Sequence, residues 1–106
     1  MSGARVVLVT APSPDAGAAL GRVLVDERLA ACVNILASMT SVYRWKGQVE
    51  QDREQQIVIK TTSERLAALE ARVRQLHSYE LPEFLVLSAE GGSAAYLAWV
   101  EDAVRR

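Results

Sequence analysis

The sequence T-S-V-Y-R-W-K-G-Q-V-E, which runs from Thr40 to Glu50, decides the fold of this chain. Lys46-Gly47 is a candidate two-residue turn between β-favouring residues, because glycine accepts the positive φ that a tight hairpin needs. Pairing outward from this turn sets three pairs of residues opposite each other: Trp45 and Gln48, Arg44 and Val49, and Tyr43 and Glu50. The stretch therefore predicts a β-hairpin whose tip lies at Lys46-Gly47.

The two faces of this hairpin carry different side chains. Side chains alternate between the faces of a strand, so one face is predicted to hold Tyr43, Trp45, Glu50 and Asp52. The other face is then predicted to hold Val42, Arg44, Val49 and Gln51. Neither face is cleanly apolar. An aromatic pair beside carboxylates at a hairpin tip indicates a surface that meets another molecule.

The length of the hairpin indicates what that other molecule is. From Val33 to Trp45 an extended chain would span about 43 Å, whereas strands usually run about 17–20 Å. A compact chain of 106 residues has a radius of gyration of about 13 Å. Even with a bulge or bend at Ala37-Ser38, the hairpin would overhang its own domain. We therefore expect it to cross onto a neighbouring subunit.

The rest of the chain alternates between strand and helix patterns. Strand-like runs cover residues 5–10, about 31–45, about 49–61 and 84–88. Helical spacing follows three candidate caps, namely Ser13, Ser93 and a reciprocal cap between Thr61 and Glu64. We predict an α+β fold, a ferredoxin-like βαββαβ arrangement with an extended hairpin between its second and third strands and a C-terminal helix. One domain is expected over residues 1–106.

The predicted sheet has an uncovered face, because the ferredoxin-like arrangement packs its two helices on one side. Ile57 and Ile59 point to one face, and Val58 and Lys60 point to the other. The second face therefore also carries some apolar surface, and large exposed apolar faces are uncommon in monomers. The hairpin and the open face together predict a homo-oligomer.

Composition excludes several classes of protein. Half of the residues are hydrophobic and 24% are charged, which argues against disorder. A net charge of −1 gives no broad basic field for nucleic acid or for an anionic membrane. After Met1 to Arg5 the strong apolar run is only Val6 to Val9, too short for a signal peptide or a membrane span. We expect a cytoplasmic protein without a nucleic-acid or membrane partner.

Several blocks of the sequence resemble the CutA divalent-cation tolerance family. The hairpin block, Thr40 to Gly47, is the most specific, and it follows the block Ala30 to Ile35. Further blocks match in the same order, namely Ile59-Lys60-Thr61, His77-Ser78-Tyr79-Glu80 and Tyr96-Leu97-Ala98-Trp99. The similarity covers about Val6 to Val104. It implies a ferredoxin-like subunit and a tight homotrimer similar to the nitrogen-regulatory PII proteins.

The same resemblance implies a link to tolerance of copper or other divalent metals, with a PII-like signalling or binding role and no settled reaction. This chain departs from the family pattern in the segments that concern metal. Ser78 stands where the family commonly has the proline of His-Pro-Tyr-Glu. Val9 and Leu76 stand where some relatives place a thiol or a second histidine near metal.

Metal ligands are few in this sequence. His77 is the only histidine. It lies at a predicted helix end, where interaction with the helix dipole explains an imidazole at least as well as metal binding does. Cys32, the only cysteine, fits a small buried hydrophobe better than a ligand. The acidic residues could bind a cation or could be solvated charges: Glu50, Asp52, Glu54, Glu80 and Glu83. We take His77 and Glu54 as candidate metal ligands for copper or zinc, the only cofactors that the sequence suggests.

The remaining candidate residues line surfaces between subunits. We predict a ligand-binding cleft formed by Tyr43, Trp45, Lys60, Tyr79 and Glu80. In this cleft Lys60 would meet a small anionic ligand, unless its amine only extends to water. We predict a subunit interface that includes Tyr43, Trp45, Val49 and Trp99, because aromatic side chains dominate interface energetics.

Catalytic patterns are missing from the sequence. His77 lies in no nucleophile motif such as G-x-S-x-G, and Gly91-Gly92 lacks the continuation of a phosphate loop. The leading hypothesis is a CutA-like homotrimer, not an enzyme, that binds a divalent cation or a small ligand between subunits. The alternatives are a structural trimer that anchors other proteins and an enzyme that uses the same cleft.

Overall fold

The helices and strands follow the predicted order in the computed structural model, which describes residues 3–106. They are β1 Ala4–Ala11, α1 Pro14–Asp26, β2 Cys32–Trp45, β3 Gln48–Thr62, α2 Leu66–Leu76, β4 Leu85–Ser88 and α3 Ala94–Ala103. A short 3-10 turn, Ser63–Arg65, joins β3 to α2. Met1 and Ser2, which begin the segment interpreted as too short for a signal peptide, lie outside the described residues.

The four strands form one antiparallel sheet in the order β2-β3-β1-β4. β1 pairs with β3 along its whole length, from Ala4 to Ala11, but pairs with β4 only from Arg5 to Leu8. This strand order is that of the ferredoxin-like fold, so the predicted fold class is confirmed.

The hairpin between β2 and β3 has the predicted register. Its pairs are Trp45 with Gln48, Arg44 with Val49, and Tyr43 with Glu50. Lys46 and Gly47 have φ values of 50° and 81°, as a type I′ turn requires at both central positions. The register shifts between Ile35 and Ser38. The bulge expected near Ala37-Ser38 is therefore present.

The core lies between one face of the sheet and the helices α1 and α2. Its buried side chains include Val7, Val9, Leu20, Leu24, Ile57, Ile59, Leu69 and Val73. α1 approaches the sheet closely at two glycines: a Cβ at Gly17 would lie 2.9 Å from Ile57 Cδ1, and a Cβ at Gly21 3.0 Å from Val33 Cγ1. Because Ile57 and Ile59 point into this core, the even-numbered residues of β3 lie on the opposite face.

One predicted helix cap is wrong. The reciprocal cap expected between Thr61 and Glu64 does not form, because β3 runs past Thr61. Thr61 is fully buried, and its hydroxyl donates to the carbonyl of Leu29 at 2.7 Å. Strand pairing and this buried hydrogen bond therefore override the local capping pattern. Ser13 and Ser93 do cap α1 and α3, each accepting a backbone N–H at 3.1 Å.

The molecule is elongated, with principal extents of 44 × 25 × 24 Å. The hairpin accounts for this shape, because β2 and β3 continue beyond the part of the sheet that pairs with β1. The predicted overhang is therefore confirmed. No helix between residues 3 and 106 is long and apolar enough to cross a membrane.

The second face of the sheet is only partly covered. α3 contacts β1 and β3, and it buries Val100 and Val104 against Ala31. On β4 the side chains of Leu85 and Leu87, which lie opposite Leu8 and Val6, are 56% and 50% exposed. Apolar surface on the second face, expected from the sequence, is therefore present.

Candidate functional site

The hairpin and the loop after α2 meet on one side of the molecule. The ammonium of Lys46, at the hairpin tip, lies 3.7 Å from a carboxylate oxygen of Glu80. Nearer the base of the hairpin, the Tyr79 hydroxyl lies 3.0 Å from a carboxylate oxygen of Glu54. We call this region the hairpin–loop surface, and it consists of Tyr43, Trp45, Lys46, Asp52, Glu54, Tyr79 and Glu80.

Strand alternation explains why these side chains share one side. Glu50, Asp52 and Glu54 are even-numbered residues of β3 and therefore lie on the face away from the core. Tyr43 lies directly opposite Glu50 and shares its face. The hairpin face predicted from the sequence is therefore confirmed as a structural feature.

Tyr79 joins the loop to the base of the hairpin. Its hydroxyl donates to the carboxylate of Glu54, which can only accept. Burial, followed by this hydrogen bond and by the negative charge of Glu54, raises the pKa of Tyr79 to about 12. The phenol therefore keeps its proton well above neutral pH and acts there as a donor.

Tyr43 repeats this arrangement further along the hairpin. Its hydroxyl donates a short hydrogen bond to Asp52. This hydrogen bond, with smaller effects from burial and from the charges of Asp52, Glu50 and Glu54, raises the pKa of Tyr43 to about 12. Two phenols thus donate to two neighbouring carboxylates, and both phenols are neutral at physiological pH.

The hairpin tip is held only weakly against the loop. The Lys46 ammonium lies 5.6 Å from the centroid of the Trp45 ring as well as near Glu80. The Lys46 and Glu80 side chains are 69% and 74% exposed, and exposed ion pairs contribute little to stability.

His77 lies behind Tyr79 and contacts both the end of β1 and the loop. Its ring Nε2 lies 2.6 Å from the carbonyl oxygen of Thr10. Its Nδ1 accepts the backbone N–H of Tyr79 at 3.1 Å. The centroids of the His77 and Tyr79 rings are 4.6 Å apart. The structure thus brings His77 next to Tyr79 and, through Tyr79, close to Glu54.

Sequence reasoning missed one side chain beside this site, that of Gln56. The amide of Gln56 donates to the carbonyl of Val9 at 3.0 Å and to the carboxylate of Glu83 at 2.9 Å. Strand alternation could have placed Gln56 on the same face as Glu54. Nothing in the sequence predicts that its amide contacts the backbone of β1.

Lys60 and Cys32 lie away from the hairpin–loop surface. They form a cross-strand pair on β3 and β2, and both contact Asn34, which accepts a short hydrogen bond from the Lys60 ammonium. Lys60 is separated from Glu54 by about 20 Å of strand at 3.3 Å per residue. Within one subunit, the structure therefore does not bring Lys60 together with the other predicted cleft residues.

The predicted interface residues are exposed on different surfaces. Val49 is 65% exposed and lies on the hairpin face opposite Tyr43, since it pairs with Arg44. Trp99 is 48% exposed and lies on α3 with its ring 5.5 Å from that of Tyr96. Apolar surface is thus available on both faces of the hairpin and on α3.

A cavity of about 240 Å³ lies on another side of His77, against α1. It is lined mainly by aliphatic side chains: Ala11, Pro12, Ala16, Ala19, Leu20, Val23 and Leu76. Pockets for small molecules usually enclose about 300–1,000 Å³. A shallower groove of about 490 Å³ lies between α1 and β2. The hairpin–loop surface is the better candidate site because its polar groups converge.

The residues of one subunit fit a divalent ion only in part. Within residues 3–106, no group of three or more histidine, cysteine, aspartate or glutamate side chains is placed to hold a metal ion. Glu54 offers carboxylate oxygens, but both ring nitrogens of His77 already have hydrogen-bond partners. A metal ion here would need additional ligands from water or from a second copy of the chain.

Comparison with known proteins places the chain in a family. A family model described as CutA1 divalent ion tolerance protein matches residues 5–103. The divalent-cation tolerance protein CutA of Thermus thermophilus is 43% identical over 97 residues, which cover 92% of this chain and 94% of that protein. The chloroplastic protein CutA 1 of Oryza sativa is 42% identical over 100 residues, and the match spans only 56% of its length.

Solved structures agree with these sequence matches. The divalent cation tolerance protein of Thermus thermophilus has a TM-score of 0.93 at 41% identity, covering 96% of this chain and 99% of that chain. The periplasmic divalent cation tolerance protein CutA of Archaeoglobus fulgidus has a TM-score of 0.93 at 31% identity, covering 96% and 99%. Sequence and fold agree over nearly the whole described chain, which therefore belongs to the CutA1 divalent ion tolerance protein family.

Proposed function

We propose that this chain is a homotrimeric divalent-ion tolerance protein that binds a divalent cation or a small ligand in clefts between its subunits. One observation carries the proposal: an overhanging hairpin presents aromatic and acidic side chains on the face that meets the loop of residues 77–83. Tyr43, Trp45, Tyr79 and Glu80 are the proposed cleft residues, since all four belong to the hairpin–loop surface.

The carboxylates of this surface are suited to a cation. Asp52 and Glu54 each accept one phenol, and an ionised carboxylate has about four lone-pair sites. Lone pairs on both carboxylates therefore remain for a cation. The raised pKa values of Tyr43 and Tyr79, about 12 for each, keep the phenols as donors that orient these carboxylates. Glu54 is the proposed metal ligand, and water or a neighbouring subunit would supply further oxygens.

The choice between ions depends on His77. Copper and zinc favour imidazole nitrogen, whereas carboxylate oxygens alone suit harder cations. His77 is a metal ligand in this proposal only if the metal displaces Thr10 or Tyr79 from its ring.

Self-association would bring complementary surfaces together. The hairpin extends beyond its own sheet, and Tyr43 and Val49 are 40% and 65% exposed. Exposed apolar side chains also lie on β4 and on α3, at Leu85, Leu87 and Trp99. We propose that the hairpin of one subunit covers such surface on the next, with Tyr43, Trp45, Val49 and Trp99 in the interface.

Lys60 would serve a small anionic ligand from a different position. It is distant from the hairpin–loop surface of its own subunit, so in the proposed cleft it would face the hairpin of a neighbour. A PII-like signalling role would require such a ligand, bound in contact with both Lys60 and the neighbour's hairpin.

We further propose a cytoplasmic binding protein rather than an enzyme. The family description refers to ion tolerance and gives no reaction. Location differs among relatives, which include chloroplastic and periplasmic proteins, so the cytoplasmic location rests on the sequence alone.

A structural trimer that anchors other proteins is the second candidate function. The engagement of both His77 nitrogens within the subunit favours it, because the only imidazole then serves the fold. A trimer that binds no divalent ion would support this alternative.

Calorimetric titration of Zn(II) into the purified chain tests the cation site. We expect Glu54→Gln to weaken binding by about tenfold or more, since even loss of an outer-shell partner of a ligand typically costs this much. Glu70→Gln removes an equal charge from an exposed position on α2 and should leave the affinity unchanged. Equal affinities of wild type and Glu54→Gln would rule out Glu54 as a ligand.

A further inference from the structure

We infer that His77 is a positioning residue and not a metal ligand: its neutral imidazole joins the end of β1 to the 77–83 loop and thereby holds Tyr79 against Glu54. Where it concerns a cation, the inference rests on the proposed function. The geometric part stands on hydrogen bonds alone.

The partners of the ring point to one tautomer. The Thr10 carbonyl oxygen can only accept, so the nitrogen 2.6 Å from it, Nε2, carries the hydrogen. The backbone nitrogen of Tyr79 can only donate, so Nδ1, 3.1 Å away, offers its lone pair. A neutral imidazole has one donor and one acceptor. The Nε2–H tautomer satisfies both contacts, and no lone pair on the half-buried ring remains for a metal.

The end of β1 explains why such a bridge is needed. β4 pairs with β1 only as far as Leu8, and the strand continues to Ala11. Beyond Leu8, two side chains donate to carbonyls of β1: Gln56 to Val9 and His77 to Thr10. His77 thus gives the Thr10 carbonyl a side-chain partner beyond the last residue of β1 that pairs with β4, and buried backbone carbonyls require partners.

The same ring sets the position of Tyr79. It accepts the Tyr79 backbone N–H and lies 4.6 Å from the Tyr79 ring, centroid to centroid. The Tyr79 hydroxyl then reaches Glu54 at 3.0 Å. A continuous chain of contacts therefore runs from Thr10 through His77 and Tyr79 to Glu54. A metal ion on either ring nitrogen would break one link of this chain.

The thiol of the chain is not available as a ligand on the hairpin–loop surface. Cys32, the only thiol of the chain, pairs with Lys60 at the other end of the sheet. About 20 Å of strand separates that position from Glu54. Both imidazole nitrogens have partners within the chain, whereas Glu54 keeps carboxylate oxygens that a cation could meet.

Nitrogen NMR of the full chain tests the inference directly, because a single histidine gives unambiguous ring signals. In a long-range ¹⁵N–¹H spectrum we expect one protonated nitrogen at Nε2 and an unprotonated Nδ1. Addition of Zn(II) should leave both shifts in place, whether or not the protein binds Zn(II) elsewhere. A proton on Nδ1, or a Zn(II)-induced shift of the unprotonated nitrogen, would overturn the inference. Absence of Zn(II) binding would contradict the cation site but not this tautomer.

Amide hydrogen exchange at Tyr79 tests the positioning role. His77→Ala removes the acceptor for the Tyr79 N–H, so its exchange should accelerate by about tenfold or more. His77→Asn places an oxygen near the position of Nδ1 and should restore most of the protection. Equal exchange in wild type and His77→Ala would contradict the positioning role. If His77→Ala does not fold, the NMR tautomer of the wild-type chain decides the question.

Discussion

The hydroxyl of Tyr79 donates a hydrogen bond of 3.0 Å to the carboxylate of Glu54 and so ties the loop after α2 to the base of the hairpin. Tyr43 and Asp52 make a similar pair further along the same face. These two pairs give the hairpin–loop surface its chemistry, since they combine neutral phenol donors with carboxylates that keep free lone pairs.

The two phenols should ionise near pH 12 rather than near their usual value of about 10. Absorbance at alkaline pH can follow the phenolate of each tyrosine when Tyr43→Phe and Tyr79→Phe are compared with wild type. Glu54→Gln should lower the pKa of Tyr79 only part of the way, because burial is the larger cause of its shift. Glu70→Gln is the matched control. An unchanged Tyr79 titration in Glu54→Gln would contradict the pairing.

The same pKa shifts give the stability a pH dependence. Both phenols have a higher pKa in the folded chain than in the unfolded chain. Their contribution to stability is therefore complete below pH 10 and is lost as the pH rises through about 12. Urea unfolding across this range should show a smaller alkaline loss for Tyr79→Phe than for wild type. An identical loss would show that Tyr79 does not carry the effect.

Gly47→Ala should destabilise the hairpin by about 1 kcal/mol, because Gly47 has a positive φ of 81° that disfavours a side chain. No atom lies within 4 Å of the added Cβ, so the cost comes from the backbone alone. Gly91→Ala, where the added Cβ also meets nothing within 4 Å, is the control and should be nearly neutral. Amide exchange of residues 40–45 would report the local loss, and equal exchange in both variants would contradict it.

Gly21→Ala should lower the free energy of unfolding by about 1–2 kcal/mol, as overpacked core positions commonly do. The added Cβ would lie 3.0 Å from Val33 Cγ1 and 3.2 Å from Val33 Cβ, and a β-branched side chain has few rotamers with which to move away. Helix propensity acts in the opposite direction by about 1 kcal/mol. A urea melt that shows Gly21→Ala to be more stable than wild type would mean that β2 gives way easily.

Tyr43→Ala combined with Trp45→Ala should weaken self-association, because aromatic side chains at interface centres commonly contribute ~2 kcal/mol or more each. Sedimentation equilibrium would measure the association constant. Val25→Ala, which shortens an exposed side chain on α1, is the control and should leave the association unchanged. An unchanged oligomer mass and melting temperature in the double variant would remove the hairpin from the interface.

Local sequence signals predicted the fold well where they agreed with strand pairing. Lys46-Gly47 gave the turn and register of the hairpin, because a two-residue turn with a glycine permits few alternatives. The capping pattern at Thr61 and Glu64 failed, because pairing with β1 and a hydrogen bond to the distant carbonyl of Leu29 extend the strand. Such contacts leave no local pattern.

The candidate site was predictable only in part, for a related reason. Strand alternation identified the shared face of Tyr43 and Asp52, and the motif-like loop pointed to Tyr79. The partners of His77 could not be predicted, because one of them is the backbone carbonyl of Thr10, far away in sequence. Lys60 lies far from the hairpin tip because it is six residues from Glu54 on the same strand. The sequence alone could have suggested this separation.

Native mass spectrometry of the purified chain, with and without a small excess of Zn(II), tests the central claim most directly. The account predicts a trimer that takes up one ion per subunit, keeps this uptake in His77→Asn and loses it in Glu54→Gln. A trimer that takes up no ion would contradict the cation site and favour the structural trimer. A monomer would contradict the proposal that the hairpin reaches a neighbouring subunit.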